Sequence, residues 1–260
     1  MTDAYVTLTK EAPLGLITLN RPPANSYDLK FMQDLDAAIE GVAADAEIKA
    51  ALVVSASEKF FSGGADIKAF LANTPEVNME MVTFAHAALA KMARIPKIFM
   101  AVINGHAMGG GLEIALACDL RFAGNGKFML ALPESTLGIL PGNGGTQRLP
   151  RLIGAGRALE LMLSGSTVSP ERAFELGIVE KIFPPEAVLD EAKAYALKLA
   201  NGPTKALAYI KRCVHEGIEQ PLAGGLALER ELVAELFASE DAHEGLTAFT
   251  EKRKAEFKGR

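Results

Sequence analysis

The chain has 260 residues, enough for one large domain or two small ones. Hydrophobic residues make up 49 % and charged residues 23 %, which excludes disordered and collagen-like chains and leaves a full core to bury. Lys and Arg total 27 against 32 Asp and Glu, a formal net charge of −5 without a basic block, which argues against nucleic-acid and anionic-membrane binding. The two cysteines, Cys118 and Cys213, sit in apolar helix-like surroundings without a CxxC, and read as two buried thiols in a reducing compartment. The first residues, MTDAYVTLTKEAPLG, lack the basic and apolar regions of a leader. No apolar run approaches the ~20 residues of a membrane span. A soluble, cytoplasmic protein is expected.

The chain opens as a hairpin, with Ala4–Thr9 alternating, a turn at Glu11–Gly15 and a return over Leu16–Leu19. A helix starts at Asp28, with apolar residues at Leu29, Met32, Leu35, Ile39 and Val42. Ile48–Ser55 reads as a buried strand, Phe60–Asp66 as a Gly-rich turn, and a helix follows from Ile67. Phe84–Met92 is a further helix, stopped near Pro96. Lys97–Asn104 is a buried strand, followed by the Gly-rich turn GHAMGGG and the helix Leu112–Cys118. Leu120–Ala123 and Lys127–Leu132 read as strands joined by Gly124–Gly126. The repeated unit is strand, strand, helix, which predicts successive turns that stack their strands. After Gly154 the pattern is helical, over Gly156–Ser164, Ser169–Leu176, Pro185–Ala200, Thr204–Glu216, Pro221–Phe237 and Glu240–Phe257. Asn201-Gly202-Pro203 is a breaker, so the chain divides into a mixed α/β core, residues 1–200, and a helical tail, residues 201–260.

Most chemical motifs fail. There is no Walker A loop, GxSxG or HExxH, and GNGGTQ lacks the third glycine of GxGxxG. The four His are scattered and no metal site is expected. Two Gly-rich turns remain, Gly63-Gly64-Ala65 and Gly109-Gly110-Gly111, each after a buried strand and opening a helix. Such turns free backbone N–H groups at a helix N-terminus, and two side by side form an oxyanion hole. Glu113 lies in the first turn of the second helix. Glu134 ends an apolar strand, where burial would raise its pKa and suit it to proton transfer. Two carboxylates beside a polarised carbonyl can hold a water, one as base and one as acid. Asp66 reads as a helix cap, His106 as packing, and Asp119 as hydrogen-bonded to a nearby turn. A glycosidase pair is a competing use of two carboxylates, but the absence of Trp and the Gly-rich turns weigh against it.

FFSGGADIKAF (60–70), INGHAMGGGLEIALACD (103–119) and PESTLGILPGNGGTQRLPRLIG (133–154) resemble the enoyl-CoA hydratase/isomerase, or crotonase, family. ITLNRPPANSYD (17–28) is similar to its N-terminal segment and EGLTAFTEKRKAEFK (244–258) to its C-terminal helix. The resemblance implies a spiral of ββα units with a C-terminal helical trimerisation region, a homotrimer or dimer of trimers, and an acyl-CoA thioester substrate. It implies hydration of a trans-2-enoyl-CoA, as in fatty-acid β-oxidation. By motif position the oxyanion donors fall on the N–H groups of Ala65 and Gly110, and the hydratase glutamates on Glu113 and Glu134. The CoA end falls on Ala65, Asp66, Ile67, Lys68 and Gly110, with Phe249 and Lys252 reaching it from a neighbouring subunit. Residues 71–89 would cover the acyl end. No cofactor is implied beyond the coenzyme A of the substrate. Two departures keep a 3,2-enoyl-CoA isomerase open as the alternative, with Glu134 alone shuttling a proton: NRPPANS is closer to the isomerase segment, and Gly124–Glu134 is one residue longer than usual.

Overall fold

A computed structural model describes residues 4–260; residues 1–3 of the stretch read as lacking a leader fall outside it. The opening hairpin is β1 (Val6–Glu11) and β2 (Leu14–Leu19), followed by α1 (Leu29–Ala44). Asp28 caps α1 by accepting from Phe31 N–H at 2.9 Å; of the predicted stripe Met32, Leu35, Ile39 and Val42 are buried, while Leu29 in the first turn is exposed. Then come β3 (Ala50–Ser55), β4 (Phe60–Ser62), α2 (Ile67–Ala72) and α3 (Pro75–Arg94). The next turn is β5 (Ile98–Ile103), β6 (His106–Met108) and α4 (Gly110–Ala117). The last is β7 (Leu120–Gly124), β8 (Leu130–Ala131) and a 3-10 turn at Glu134–Leu137.

The opening hairpin lies wholly in one sheet, and each of the three turns after it gives one strand to each of two sheets. The larger has six strands in the order β1-β2-β3-β5-β7-β9, where β9 is Lys181–Phe183; the smaller is β4-β6-β8. Apart from the β1–β2 hairpin, the pairings between these strands are parallel. The repeat expected from the sequence is therefore present. The strands flanking residues 124–126 do not pair with each other, however. Phe122 pairs with β5 and β9, and Leu130 with β6, so the turn carries the chain from one sheet to the other.

The large sheet is covered on both faces, which is why β3 and β5 read as unbroken apolar runs. Ala51, Val53, Ala101 and Ile103 face one cluster, with α1, α3 and α4. Leu52, Val54, Met100 and Val102 face a second, against Val188, Ala192, Ala196 and Ala200 of α8 (Val188–Ala200). The alternation follows from the two-residue period of a strand. All of α4 is buried, as an all-round apolar helix must be. One of its residues is Glu113, and a buried carboxylate is costly unless it is hydrogen-bonded.

The remaining helices are α5 (Gly145–Ile153), α6 (Ala155–Ser164), α7 (Pro170–Leu176), α9 (Thr204–Gly217), α10 (Leu222–Phe237) and α11 (Glu240–Glu251). Neither α5 nor β9 is anticipated in the sequence: α5 opens on Gly144-Gly145 and carries Pro150 inside it, both breaker signals, and β9 is only three residues long. The helix expected over Phe84–Met92 starts at Pro75, where Thr74 caps it. The last helix stops before the expected Phe257: Lys252 turns left-handed at φ 55°, and Asp241 accepts from Lys258 and Gly259 N–H at 2.7 and 2.8 Å, folding the tail back. Cys118 is buried, but Cys213 is only half-buried; both are free thiols. Asp119, expected beside a nearby turn, instead accepts from Phe99 N–H on β5 and from Lys211 and His215 on α9.

Candidate active site

The pairing of β4 with β6 explains why two distant glycine turns meet. Phe60 lies beside His106 and Ser62 beside Ala107, so the loops leaving both strands emerge together. They are packed without room for a side chain. Gly64 has φ 85°, and a Cβ there would fall 2.6 Å from the Met108 carbonyl oxygen and 3.3 Å from Gly110 N. Asp66 caps α2 by accepting from Lys68 and Ala69 N–H at 3.1 and 3.3 Å, which fixes the turn before it. Gly110 opens α4, so its N–H has no helical acceptor. Among the described residues, neither the Ala65 nor the Gly110 N–H donates to a protein acceptor.

Glu113 is 1 % exposed. Its Oε1 accepts from the N–H groups of Asn143 and Gly145, both at 2.7 Å. Those bonds come from the loop entering α5 and fix the carboxyl's orientation. Burial raises the Glu113 pKa, and the two N–H donors hold that rise back. Glu134 begins the 3-10 turn directly after β8. Burial, with Glu113 nearby, pushes its pKa up to about 7, and its buried Oε2 has no hydrogen-bond partner. The two carboxyls are thus unlike: one is clamped and the other is an unpartnered acid poised near neutrality.

Both face one cavity of about 880 Å³, lined also by Ala65, Gly110 and Tyr27. One wall is apolar, with Phe70 on α2, Met79 and Val82 on α3, and Ile139 and Leu140 beyond Glu134. Residues from the expected 71–89 cover therefore do line it. Ile67 is at the rim, 44 % exposed. Asp66 and Lys68 are outside the lining, Asp66 engaged in capping and an ion pair with Arg21 at 3.2 Å. Phe249 is 84 % exposed on α11, and neither it nor Lys252 reaches this cavity within one chain. His106 stacks on Phe60 at 5.4 Å and accepts from Met129 N–H, in keeping with a packing role. No cluster of three or more His, Cys, Asp or Glu stands where a metal would be held, among the described residues.

Three residues of the site were not singled out in the sequence. Asn143 and Gly145 hold Glu113, and Tyr27 Oη accepts from Asn143 Nδ2 at 2.6 Å. Their signal lay inside GNGGTQ and NRPPANSYD, but nothing local reveals a pairing across so much chain.

The enoyl-CoA hydratase/isomerase family model matches residues 9–260. The chain belongs to the enoyl-CoA hydratase/isomerase family. Two relatives in that family match it nearly end to end. A short-chain-enoyl-CoA hydratase of Clostridium acetobutylicum is 35 % identical over 258 residues, covering 98 % of each chain. A 2,3-dehydroadipyl-CoA hydratase of Escherichia coli is 38 % identical over 255 residues, covering 97 % of this chain and 98 % of its own. Solved members share the fold. An enoyl-CoA hydratase from Geobacillus kaustophilus superposes with a TM-score of 0.97 at 44 % identity, over 100 % of this chain and 98 % of its own. One from Bacillus anthracis gives 0.94 at 35 % identity, over 98 % and 100 %. The crotonase fold expected from the sequence is the fold of this enoyl-CoA hydratase/isomerase family member. No helix is long and apolar enough to cross a membrane, among the described residues.

Proposed function

We propose that the protein is an enoyl-CoA hydratase that adds water, syn, to a trans-2-enoyl-CoA to give the 3-hydroxyacyl-CoA. The observation that carries this reading is the pair of unlike carboxyls, Glu113 and Glu134, in one apolar cavity beside two free N–H groups.

The chemistry follows from that arrangement. The thioester oxygen accepts from Ala65 and Gly110 N–H, which draws electron density from C3 and stabilises the enolate oxygen as charge builds. Glu113, oriented by Asn143 and Gly145, takes a proton from water as the oxygen bonds to C3. Glu134, with its raised pKa, enters as the acid and gives its proton to C2. Glu113 ends protonated and Glu134 ionised, and exchange with solvent resets them. This is acid–base chemistry on a conjugated thioester, and the coenzyme A belongs to the substrate. Asp66, Ile67 and Lys68 border the CoA end through the start of α2. Phe249 and Lys252 complete it from a neighbouring subunit, in a trimer or dimer of trimers.

A 3,2-enoyl-CoA isomerase is the second reading. It is favoured by one observation: of the two glutamates, Glu134 is the one with a buried oxygen that lacks a partner. Loss of the ultraviolet absorbance of a 2-enoyl-CoA decides between them. Fast loss, reduced about a hundredfold or more in both Glu113→Gln and Glu134→Gln, supports hydration. No loss, with a 3-enoyl-CoA gaining that absorbance and Glu113→Gln active, supports the isomerase.

A further inference from the structure

Tyr27 touches both halves of the site. Its N–H donates to the Gly64 carbonyl, and its own carbonyl accepts from Asp66 N–H, each at 2.8 Å. Its ring runs against the other glycine turn: a Cβ on Gly110 would fall 2.2 Å from Tyr27 Oη. Oη accepts from Asn143 Nδ2 at 2.6 Å, and Asn143 N–H holds Glu113. The hydroxyl therefore stands between the oxyanion turn and the loop that orients the carboxylate base.

Tyr27 is 4 % exposed, and it lines the cavity. An amide nitrogen only donates, so Asn143 occupies a lone pair of Oη and leaves the phenolic proton to donate elsewhere. Among the described residues no protein acceptor takes that proton. A buried donor of this kind calls for an acceptor in the cavity. Burial, with Glu113 and Glu134 close by, holds the phenol protonated well above the ordinary tyrosine range.

We infer that the Tyr27 hydroxyl is a catalytic hydrogen-bond donor to the oxygen of the water that adds at C3. This rests on the hydratase reading. The thioester oxygen has two lone pairs, and Ala65 and Gly110 N–H meet both. The water is flanked by the two carboxyl groups: Glu113 takes one of its protons and Glu134 accepts a hydrogen bond from the other, which stays on the product hydroxyl, so the water's oxygen needs a donor. As the water's O–H bond breaks toward Glu113 and the C3–O bond forms, that oxygen becomes hydroxide-like, and the donation strengthens. Tyr27 keeps its own proton throughout, while C2 receives the proton of Glu134. In the reverse direction the same hydrogen bond steadies the departing hydroxide.

Tyr27→Phe keeps the ring and removes the hydroxyl. Two activities separate its roles: hydration of a 2-enoyl-CoA, and exchange of the C2 hydrogen of a saturated acyl-CoA with D2O. The exchange uses Glu134 and the two N–H groups, and no water adds at C3. Loss of a donor to a charged oxygen predicts a fall of about tenfold to a hundredfold in kcat for hydration, with KM and exchange held within about threefold. Unimpaired hydration overturns the inference, and so does equal loss of both activities. Asn143→Ala leaves the N–H that holds Glu113 and removes the amide that aims the hydroxyl. It should lower hydration by about threefold to tenfold and add little to Tyr27→Phe; independent, multiplicative losses overturn the shared role. Should Tyr27→Phe not fold, Asn143→Ala with the same two activities carries the test. A wild-type protein that moves the C2 proton but never hydrates overturns the hydratase reading, and Tyr27's role with it. One that hydrates equally well without the hydroxyl overturns the Tyr27 role alone.

Discussion

Lys211 of α9 donates from Nζ to Asp119 Oδ2 at 2.8 Å, with the two side chains 4 % and 10 % exposed. The same ammonium donates to the Met92 and Lys97 carbonyls, and Asp119 also accepts from Phe99 N–H at 2.8 Å. One buried cation thus joins α9, the end of α3 and the start of β5. Burial lowers the Lys211 pKa, and Asp119 opposes that shift. Removing one partner of such a pair strands the other. Lys211→Met should cost about 3 kcal/mol in urea unfolding, a fall of roughly 6–12 °C in Tm. Adding Asp119→Asn should recover part of the loss. A single variant within 0.5 kcal/mol of the parent (about the effect of an ordinary surface change) would show that the tie contributes nothing.

Burial pushes the Glu134 carboxyl up to about 7, and on the hydratase reading it must be protonated to deliver a proton to C2. Hydration should therefore lose kcat/KM on the alkaline side, with a midpoint near that value. The limb should vanish in Glu134→Gln together with most of the rate. A profile flat from acid to alkaline pH would remove Glu134 as the donor.

The same burial sets a pH dependence of stability. The folded carboxyl titrates at about 7 and its unperturbed value is 4.5, so the folded state binds more protons between those two pH values. Stability at this site falls as pH rises through that window, and the cost is full above it. Glu134→Gln removes the ionisation. It should be more stable than the parent by about 1–2 kcal/mol at alkaline pH, after discounting for partial exposure, with no such gain in acid. Denaturant midpoints at both ends of the window measure this.

Gly109 separates the two carboxyl elements. It has φ 53° and ψ −127°, and a Cβ there would fall 2.7 Å from Glu134 Oε1. Gly109→Ala should cost about 1–3 kcal/mol of stability and push Glu134 off its position. Hydration should fall at least about tenfold with KM little changed, because geometry rather than affinity is lost. Steady-state kinetics beside a thermal melt separates the two effects.

Met79 of α3 lines the apolar wall and is 59 % exposed, so it has room to be enlarged. Met79→Trp should narrow the acyl end. The ratio of kcat/KM for a long to a short 2-enoyl-CoA should fall roughly tenfold, with short-chain turnover preserved. An unchanged ratio would place the chain's terminus elsewhere.

Local signals in the sequence were sufficient for the ββα repeat and for both glycine turns with their glutamates. Hydrophobic period and glycine constraint act over a few residues, and Asp28, Asp66 and Thr74 caps can be read the same way. What was not legible is the partnering of distant polar groups. Asp119 was read against its own neighbourhood, but its charge is met by Lys211, 92 residues on. Asn143 was weighed only within an incomplete GxGxxG and within the family-like stretch 133–154, with no role of its own, although its main chain holds Glu113 and its side chain holds Tyr27, 116 residues away. Periodicity carries no information on such pairs, since each side chain alone is an ordinary loop or helix residue.

The segment from Leu137 to Gly145 forms a wall and a clamp with one backbone. Leu137, Ile139 and Leu140 line the cavity, and a few bonds later Asn143 and Gly145 grip Glu113. On the hydratase reading, an acyl group seated against the wall would settle the loop that aims the base, and one that fits poorly would strain it. Selectivity on such a scaffold would be exercised through turnover more than through affinity: a mismatched acyl-CoA would be held but hydrated slowly, and would compete with the true substrate as an inhibitor.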